Sequence, residues 1–242
     1  MPDDWITPDW PAPIQVRALS TTRKGGFSPP PWDSFNLGDH VGDSPDLVQK
    51  NRARLMADAC LPAEPLWMEQ VHGCGVLTRD CDSRGDARFS NKPKEICVVM
   101  TADCLPVLLC DVRGSAVAAV HAGWRGLAAG VLEQALDCFD PPASAIMAWL
   151  GPAIGPTAFE VGEDVREAFL RNQPRAETAF ISCGQEKWLV DLYELARQRL
   201  YARGVKRIYG GDHCTYTESE YFFSYRRDGR TGRMASLIWL EE

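Results

Sequence analysis

The sequence predicts one domain that combines α-helices with short β-strands, and three observations predict it. Two apolar runs, Val107 to Cys110 and Ala116 to Val120, flank Asp111-Val112-Arg113-Gly114-Ser115, the pattern of a hairpin of buried strands. Beyond Gly126, apolar residues at Leu127, Val131, Leu132, Ala135 and Leu136 recur at helical spacing. No internal repeat, low-complexity stretch or linker interrupts the 242 residues, a length that buries a sizeable core.

Residues 1 to 13 carry four prolines and read as an irregular arm. Ile14 to Leu19 alternates as a strand and runs into Ser20-Thr21-Thr22-Arg23-Lys24-Gly25-Gly26-Phe27-Ser28. That loop of hydroxyls, cations and paired glycines can converge on an anion, or be an ordinary surface turn. Pro29 to Asp43 is a long loop dense in Asn, Asp, Gly and aromatic residues, a composition that favours function. Ser44 as N-cap and Pro45 at the first helical position open a helix to about Ala59. Glu69 to Val76 alternates like a strand, with His72 beside a glycine where the chain can bend. Residues 81 to 95, rich in Asp, Arg, Ser, Asn and Lys, read as an exposed connection, after which Glu95 to Met100 leads into the hairpin.

Beyond the central hairpin, Ile146 to Leu150 is a strand, and Gly151 to Gly162 a rigid turn and loop bordering the site. Helices are expected over Glu163 to Arg171 and Leu192 to Arg203. Lys206 to Tyr209 is a strand and Asp212 to Thr215 a turn. Four arginines, Arg226, Arg227, Arg230 and Arg233, fall within eight residues ahead of a last strand, Ala235 to Leu240. Such a cluster can hold a phosphate or form a solvated basic hairpin.

A hydrophobic content of 45% and a charged content of 24% are those of an ordinary globular protein. The net charge of -7 lacks the basic face that nucleic acid requires, while a local arginine cluster can still bind a small anion. The opening Met1-Pro2-Asp3-Asp4-Trp5-Ile6 has no basic region followed by an apolar one. With no apolar run of membrane-spanning length either, neither a secretory signal nor a span is expected. Nine cysteines without regular spacing read as reduced thiols of a cytoplasmic protein. A monomer or small homo-oligomer is expected.

Chemistry concentrates from Met100 to Gly126. With the hairpin turn centred near Val112 and Arg113, antiparallel pairing brings Cys104 and His121 to within about one residue of facing each other. Asp103, Gly123, Trp124 and Arg125 are their neighbours, and a helix starting just past Gly126 aims its positive end at them. Taken alone, a free cysteine at the start of an apolar strand is ordinarily core, and a histidine ending one a polar cap. Their common register is what suggests a site. With His72 as third candidate, one thiolate and two imidazoles suit a zinc ion that keeps an open position. Without a metal, Cys104 and His121 suit the nucleophile and base of a cysteine hydrolase or deamidase. Residue chemistry leaves both open.

Gln70-Val71-His72-Gly73, Thr101-Ala102-Asp103-Cys104-Leu105-Pro106 and His121-Ala122-Gly123-Trp124-Arg125-Gly126 closely resemble the three blocks of the laccase-domain family. This family is also called the multicopper polyphenol oxidoreductase or YfiH-type family. Asn36-Leu37-Gly38, the Gly151 to Pro156 turn and Ser224-Tyr225-Arg226-Arg227-Asp228 match its other blocks, so the resemblance covers nearly the whole chain. It implies a compact α+β sandwich of mixed sheets with helices outside. It also implies that His72, Cys104 and His121 bind a catalytic zinc. The implied chemistry is phosphorolysis of adenosine, inosine or guanosine to base and ribose 1-phosphate. Methylthioadenosine phosphorolysis and adenosine deamination are the associated activities.

Polyphenol oxidation needs several copper centres with many imidazole ligands. Four histidines, with no His-x-His pair, place copper behind zinc. The His-x-Glu and Pro-Cys-x-x-Cys motifs of the zinc deaminases are absent, so deamination would use a different architecture with Asp103 as proton shuttle. Phosphorolysis needs an anion clamp near the metal. Arg125, Arg226 and Arg23 are its candidates, and Asn36 can hydrogen-bond ribose or base.

Overall fold

A computed structural model describes residues 2–78, 83–171 and 173–242. In chain order they form β1 (Val16–Ser20), α1 (Pro45–Asp58), β2 (Val76–Leu77), β3 (Ala87–Ser90), β4 (Cys97–Thr101), β5 (Leu105–Asp111) and β6 (Val117–Ala122). Next come α2 (Trp124–Ala129), α3 (Val131–Leu136), β7 (Ile146–Leu150), β8 (Glu160–Gly162), α4 (Glu163–Leu170), β9 (Phe180–Gly184) and β10 (Lys187–Val190). The chain ends with α5 (Leu192–Ala202), β11 (Arg207–Gly210), the short α6 (Tyr225–Asp228) and β12 (Met234–Leu240).

Alternation along β5 decides how these elements stack, because successive side chains point to opposite faces. Val107 and Leu109 pack with Leu132 of α3 and with Leu195 and Leu200 of α5. Leu108 and Cys110 join Val99 of β4 and Ile238 of β12. A strand covered on both faces must be apolar throughout, and every residue of β5 is buried. It lies inside a six-stranded sheet of order β11-β7-β5-β6-β3-β2, antiparallel except for the pairs β11–β7 and β2–β3 at its ends. The antiparallel sheet β1-β12-β4 covers one face of it. The far face of that second sheet is closed by Leu55 of α1 together with Phe35 and Leu37. The layers therefore run helix, sheet, sheet, helix, an α+β sandwich of mixed sheets with helices outside. A small sheet, β8-β10-β9, sits against α4. Among the described residues no helix is long and apolar enough to cross a membrane.

Four stretches depart from expectation. Pro106 pairs with His121 and Leu105 with Ala122, so the register continues Cys104 toward Gly123 rather than His121. Because the side-chain period is two, this two-residue slip keeps Cys104 on the face of His121, as a diagonal neighbour. Glu69 to Val76 is not a strand. Val76 and Leu77 form a short strand and Glu69 makes an isolated bridge to Arg84, while His72 between them holds a φ of 59°, which an extended chain does not allow. The polar 81–95 stretch is not simply exposed, since it contains β3, where Ala87, Arg88 and Ser90 are buried; residues 81 and 82 lie outside the described residues. Its four residues carry too few apolar side chains to announce a strand. Finally, the helix expected after Gly126 starts at Trp124 and breaks at Gly130, whose φ of 101° suits glycine.

Leu109 has no exposed surface and sits mid-strand between two layers. Leu109→Ala should cost about 2–5 kcal/mol, read as a lower urea midpoint at unchanged slope.

Candidate metal centre

Three separate segments deliver the site. His121 ends β6 and is 2% exposed, Cys104 lies in the turn before β5, and His72 projects from the irregular loop before β2. A fully buried carboxylate, Asp86, ties the His72 and His121 segments together. Its Oδ1 accepts from the His72 N–H and from His121 Nδ1, each at 2.8 Å. Its Oδ2 accepts from the N–H groups of Gly73 at 2.7 Å and Val71 at 3.3 Å. The main-chain carbonyl of Asp86 also accepts the N–H of His121 at 2.7 Å. Burial works to raise the Asp86 carboxyl, but the bonds from His121, Gly73 and His72 outweigh it and hold the group below its ordinary range. An ionised partner at Nδ1 assigns the imidazole proton to that nitrogen and turns Nε2 toward a ligand. The loop is fastened a second time by Gln70, which donates to the Met100 carbonyl at 2.8 Å and accepts its N–H at 2.7 Å.

Cys104 Sγ lies 3.9 Å from His72 Nε2, and the two imidazoles meet edge to face with centroids 4.8 Å apart. The three donor atoms all lie within 4.8 Å of one another, a spread suited to ligation of one ion at about 2.0–2.3 Å. In this pair burial pushes the thiol up, yet the charge of His121 and its hydrogen bond bring Cys104 below its ordinary range. Burial likewise lowers His121, and the thiolate and Asp86 raise it further than burial lowers it. The result is a thiolate beside an imidazolium. A thiolate is the form that binds metal, and an ion takes the place of the shared proton.

The glycines of the His121 to Gly126 block answer to this arrangement. A Cβ on Gly123 would lie 3.0 Å from Cys104 Sγ and 3.1 Å from His72 Cδ2, inside the donor cluster. One on Gly126 would lie 2.5 Å from the Gly73 carbonyl. Backbone without side chains lets α2 close against the histidine loop. Two imidazoles, one soft thiolate and no fourth protein donor among the described residues fit a metal with an open position.

Two clefts meet at His72, Ala102, Cys104 and Tyr225. The first, about 240 Å³, has walls of Trp124, Ile154, Phe159 and Leu192, with Arg125 and Arg226 at its rim. The second, about 440 Å³, is lined by His40, Gln70, Thr101, His121 and Arg233. Together they fall in the range of about 300–1,000 Å³ that small ligands occupy.

Of the residues nominated from sequence, Arg125 lies 4.3 Å over the Trp124 ring and Arg226 5.3 Å over that of Phe159. Asp103 borders the same cleft, but both its oxygens are engaged. Oδ1 accepts from Thr215 Oγ1 at 2.6 Å and Oδ2 from the Arg226 N–H at 2.7 Å. These bonds let it position the Arg226 segment at the cleft. Arg23 and Asn36 are not brought to the site. Arg23 donates to the carbonyls of Asp33 and Ser219 and pairs with the Asp33 carboxylate at 3.3 Å. With Lys24 bound to Glu220 at 2.6 Å, the paired-glycine loop is an ion-paired surface turn. Asn36 is fully buried and spends its amide on Gly38, Asp43 and the N–H of Arg233. Sequence reasoning missed Asp86, hidden in a stretch read as exposed, and singled out three other arginines before Arg233.

A family model described as "Multi-copper polyphenol oxidoreductase laccase" matches residues 17–241. The chain belongs to this family. Within this laccase-like family, a protein of Escherichia coli strain K12 named purine nucleoside phosphorylase YfiH is 59% identical over 239 residues, covering 97% of this chain and 98% of that one. A protein named purine nucleoside phosphorylase from Pseudomonas aeruginosa is 52% identical over 241 residues, covering 98% and 99%. Among solved structures, a Neisseria meningitidis protein superposes with a TM-score of 0.95 at 50% identity, over 99% of this chain and all 100% of that one. YlmD from Geobacillus stearothermophilus superposes with a TM-score of 0.88 at 31% identity, over 95% and 93%.

Asp86→Asn keeps the shape and removes the charge that orients His121. It should weaken divalent-metal binding about 10–100-fold in a chelator competition. Gly123→Ala should strip metal from the purified protein, measured by elemental analysis, with the far-UV circular dichroism unchanged.

Proposed function

We propose that this chain is a zinc-dependent purine nucleoside phosphorylase, taking adenosine, inosine or guanosine with phosphate to free base and ribose 1-phosphate. The observation that carries this reading is the three-donor triad at the junction of two clefts, one walled by Trp124 and Phe159 and the other lined by His40, Gln70 and Arg233. Relatives named for that activity, matching over nearly the full length, support the substrate class. Zinc is favoured over copper by the mixed thiolate and imidazole donors. Bound there, it supplies Lewis-acid polarisation of a substrate atom.

The chain's own residues do the remainder. Trp124 and Phe159 give flat apolar surface to a purine ring, and the arginines stacked on them extend it with donors for ring or ribose oxygens. Asp103 fixes the rim by holding the Arg226 backbone. Asp86 keeps His121 in one tautomer, so the donor set does not reorganise during turnover. We assign the same purine-binding cleft to methylthioadenosine phosphorolysis and to adenosine deamination, in which water replaces the C6 amine and ammonia leaves. The described cysteines are all free thiols, which suits a cytoplasmic location. The thiolate–imidazolium pair also favours one alternative, a cysteine hydrolase or deamidase; stoichiometric metal would remove Cys104 from nucleophilic duty.

Zinc-loaded protein incubated with inosine should release hypoxanthine only when phosphate is present, and Cys104→Ala should abolish the release. Base release independent of phosphate, or full activity in that variant, would overturn the reading.

A further inference from the structure

Arg233 is the arginine that lines the second cleft, whereas Arg125 and Arg226, also without a carboxylate partner among the described residues, line the first and stack on Trp124 and Phe159. The residue is partly buried and lines the second cleft together with His40, His121 and Cys104. Nη1 donates to the carbonyls of Thr231 at 3.1 Å and Gly232 at 2.9 Å. Nε and Nη2 have no hydrogen-bond partner among the described residues, and no carboxylate there pairs with it. The other cluster arginines are spent differently. Arg227 binds the carbonyls of Thr215, Tyr216 and Phe222 and the Asp228 carboxylate, Arg230 donates to the Gly42 carbonyl, and Arg226 donates to that of Glu160.

Arg233 is also held in place with unusual care. Its N–H is received by Asn36 Oδ1 at 2.9 Å, and Asn36 is itself fixed to Asp43, which Ser28 also binds. Gly38 clears its stem, since a Cβ there would lie 2.8 Å from Arg233 Cγ. A desolvated cation is costly unless paired. Burial works to lower the Arg233 guanidinium below its ordinary range, and the nearby negative charges of Cys104 and Asp103 oppose burial without offsetting it. When a divalent ion binds, the Cys104 charge is spent on it, and the Asp103 carboxylate is already shared between Thr215 and Arg226. An oxyanion in the second cleft restores the balance.

We propose that Arg233 binds the phosphate co-substrate, so that phosphate enters by the second cleft and the purine by the first. This rests on the phosphorylase reading above. Phosphorolysis forms a bond from a phosphate oxygen to C1′ and breaks the bond from C1′ to the base nitrogen. The electron pair of the broken bond leaves with the base, and the proton of hydrogen phosphate ends on it. Attack and departure on opposite sides of the ribose need two approaches, and the clefts that meet at Cys104 and His72 provide them. The bidentate fork of an arginine matches a phosphate, and here it is pre-oriented.

The test is titration of zinc-loaded protein with inorganic phosphate alone, by calorimetry, together with the KM for phosphate and for inosine. Arg233→Gln should weaken phosphate binding and raise the phosphate KM at least about tenfold, leaving the inosine KM within about twofold, and Arg233→Lys should recover part of the loss. Arg226→Gln should instead move the inosine KM. Phosphate affinity that is unchanged in Arg233→Gln, or reduced equally in Arg226→Gln, overturns the assignment. Wild-type protein that binds phosphate through Arg233 yet releases no base overturns the reaction and keeps the anion site. Normal phosphorolysis by Arg233→Gln does the reverse.

Discussion

Everything at the centre depends on Asp86 being charged and dry. A lone carboxylate without water is one of the most expensive groups a protein can bury, and this one is tolerated because four donors surround its two oxygens. Three of those donors belong to consecutive backbone N–H groups, Val71, His72 and Gly73, which have no strand or helix of their own to satisfy them. The fourth is the imidazole of His121. One side chain thus replaces secondary structure for the histidine loop and aims the second histidine from below. The coupling is mutual: each donor makes the charge bearable, and the charge holds each donor where a metal needs it.

The scaffold absorbs strain at the same place. His72 at φ 59° and Asp103 at φ 89° are non-glycine residues in a region that costs about 1–3 kcal/mol each. Both flank the cleft junction and both are held by contacts: His72 by Asp86, Asp103 by Thr215, Arg226 and the N–H of Ile154 at 2.9 Å. The sandwich supplies the stability to hold them. Its central strands are apolar on both faces, so the turn before β5 and the end of β6 are anchored by fully buried neighbours such as Leu105 and Ala122. Precision at the rim follows from rigidity in the middle.

How much of this was legible in the sequence tracks burial symmetry. β5, β6, β7 and β12 lie between layers, and their uninterrupted apolar runs were readable as strands. α4 and α5 announced themselves by helical spacing. β3 did not, because a short strand whose buried members include Arg88 and Ser90 has no apolar signature. Cys104, His121 and His72 could be nominated because thiol and imidazole are rare and chemically marked. Asp86 could not, since nothing distinguishes a carboxylate that will be buried from its exposed neighbours until the fold closes over it. The same holds for choosing among arginines. Arg23 and Arg233 look alike in sequence, and only tertiary packing gives one an Asp33 carboxylate and leaves the other facing a cleft.

The family's multi-copper description and the ligand inventory of this chain point in different directions, and the inventory is the stronger guide to chemistry. Of its four histidines, two belong to the triad. His213 is held by Glu218 at 2.9 Å and packs edge-on against Phe222, and His40 lines the second cleft beside Asp39. The thiols of Cys97 and Cys110 are sealed in the core, where burial pushes each up to about 12, so neither offers a thiolate. What remains among the described residues is a single three-donor site. Chains of copper centres pass electrons between metals held by many imidazoles, and a single site of one thiolate and two imidazoles could hold only one ion of such a chain. The fold has kept the family's outline, and the donors decide what is done within it.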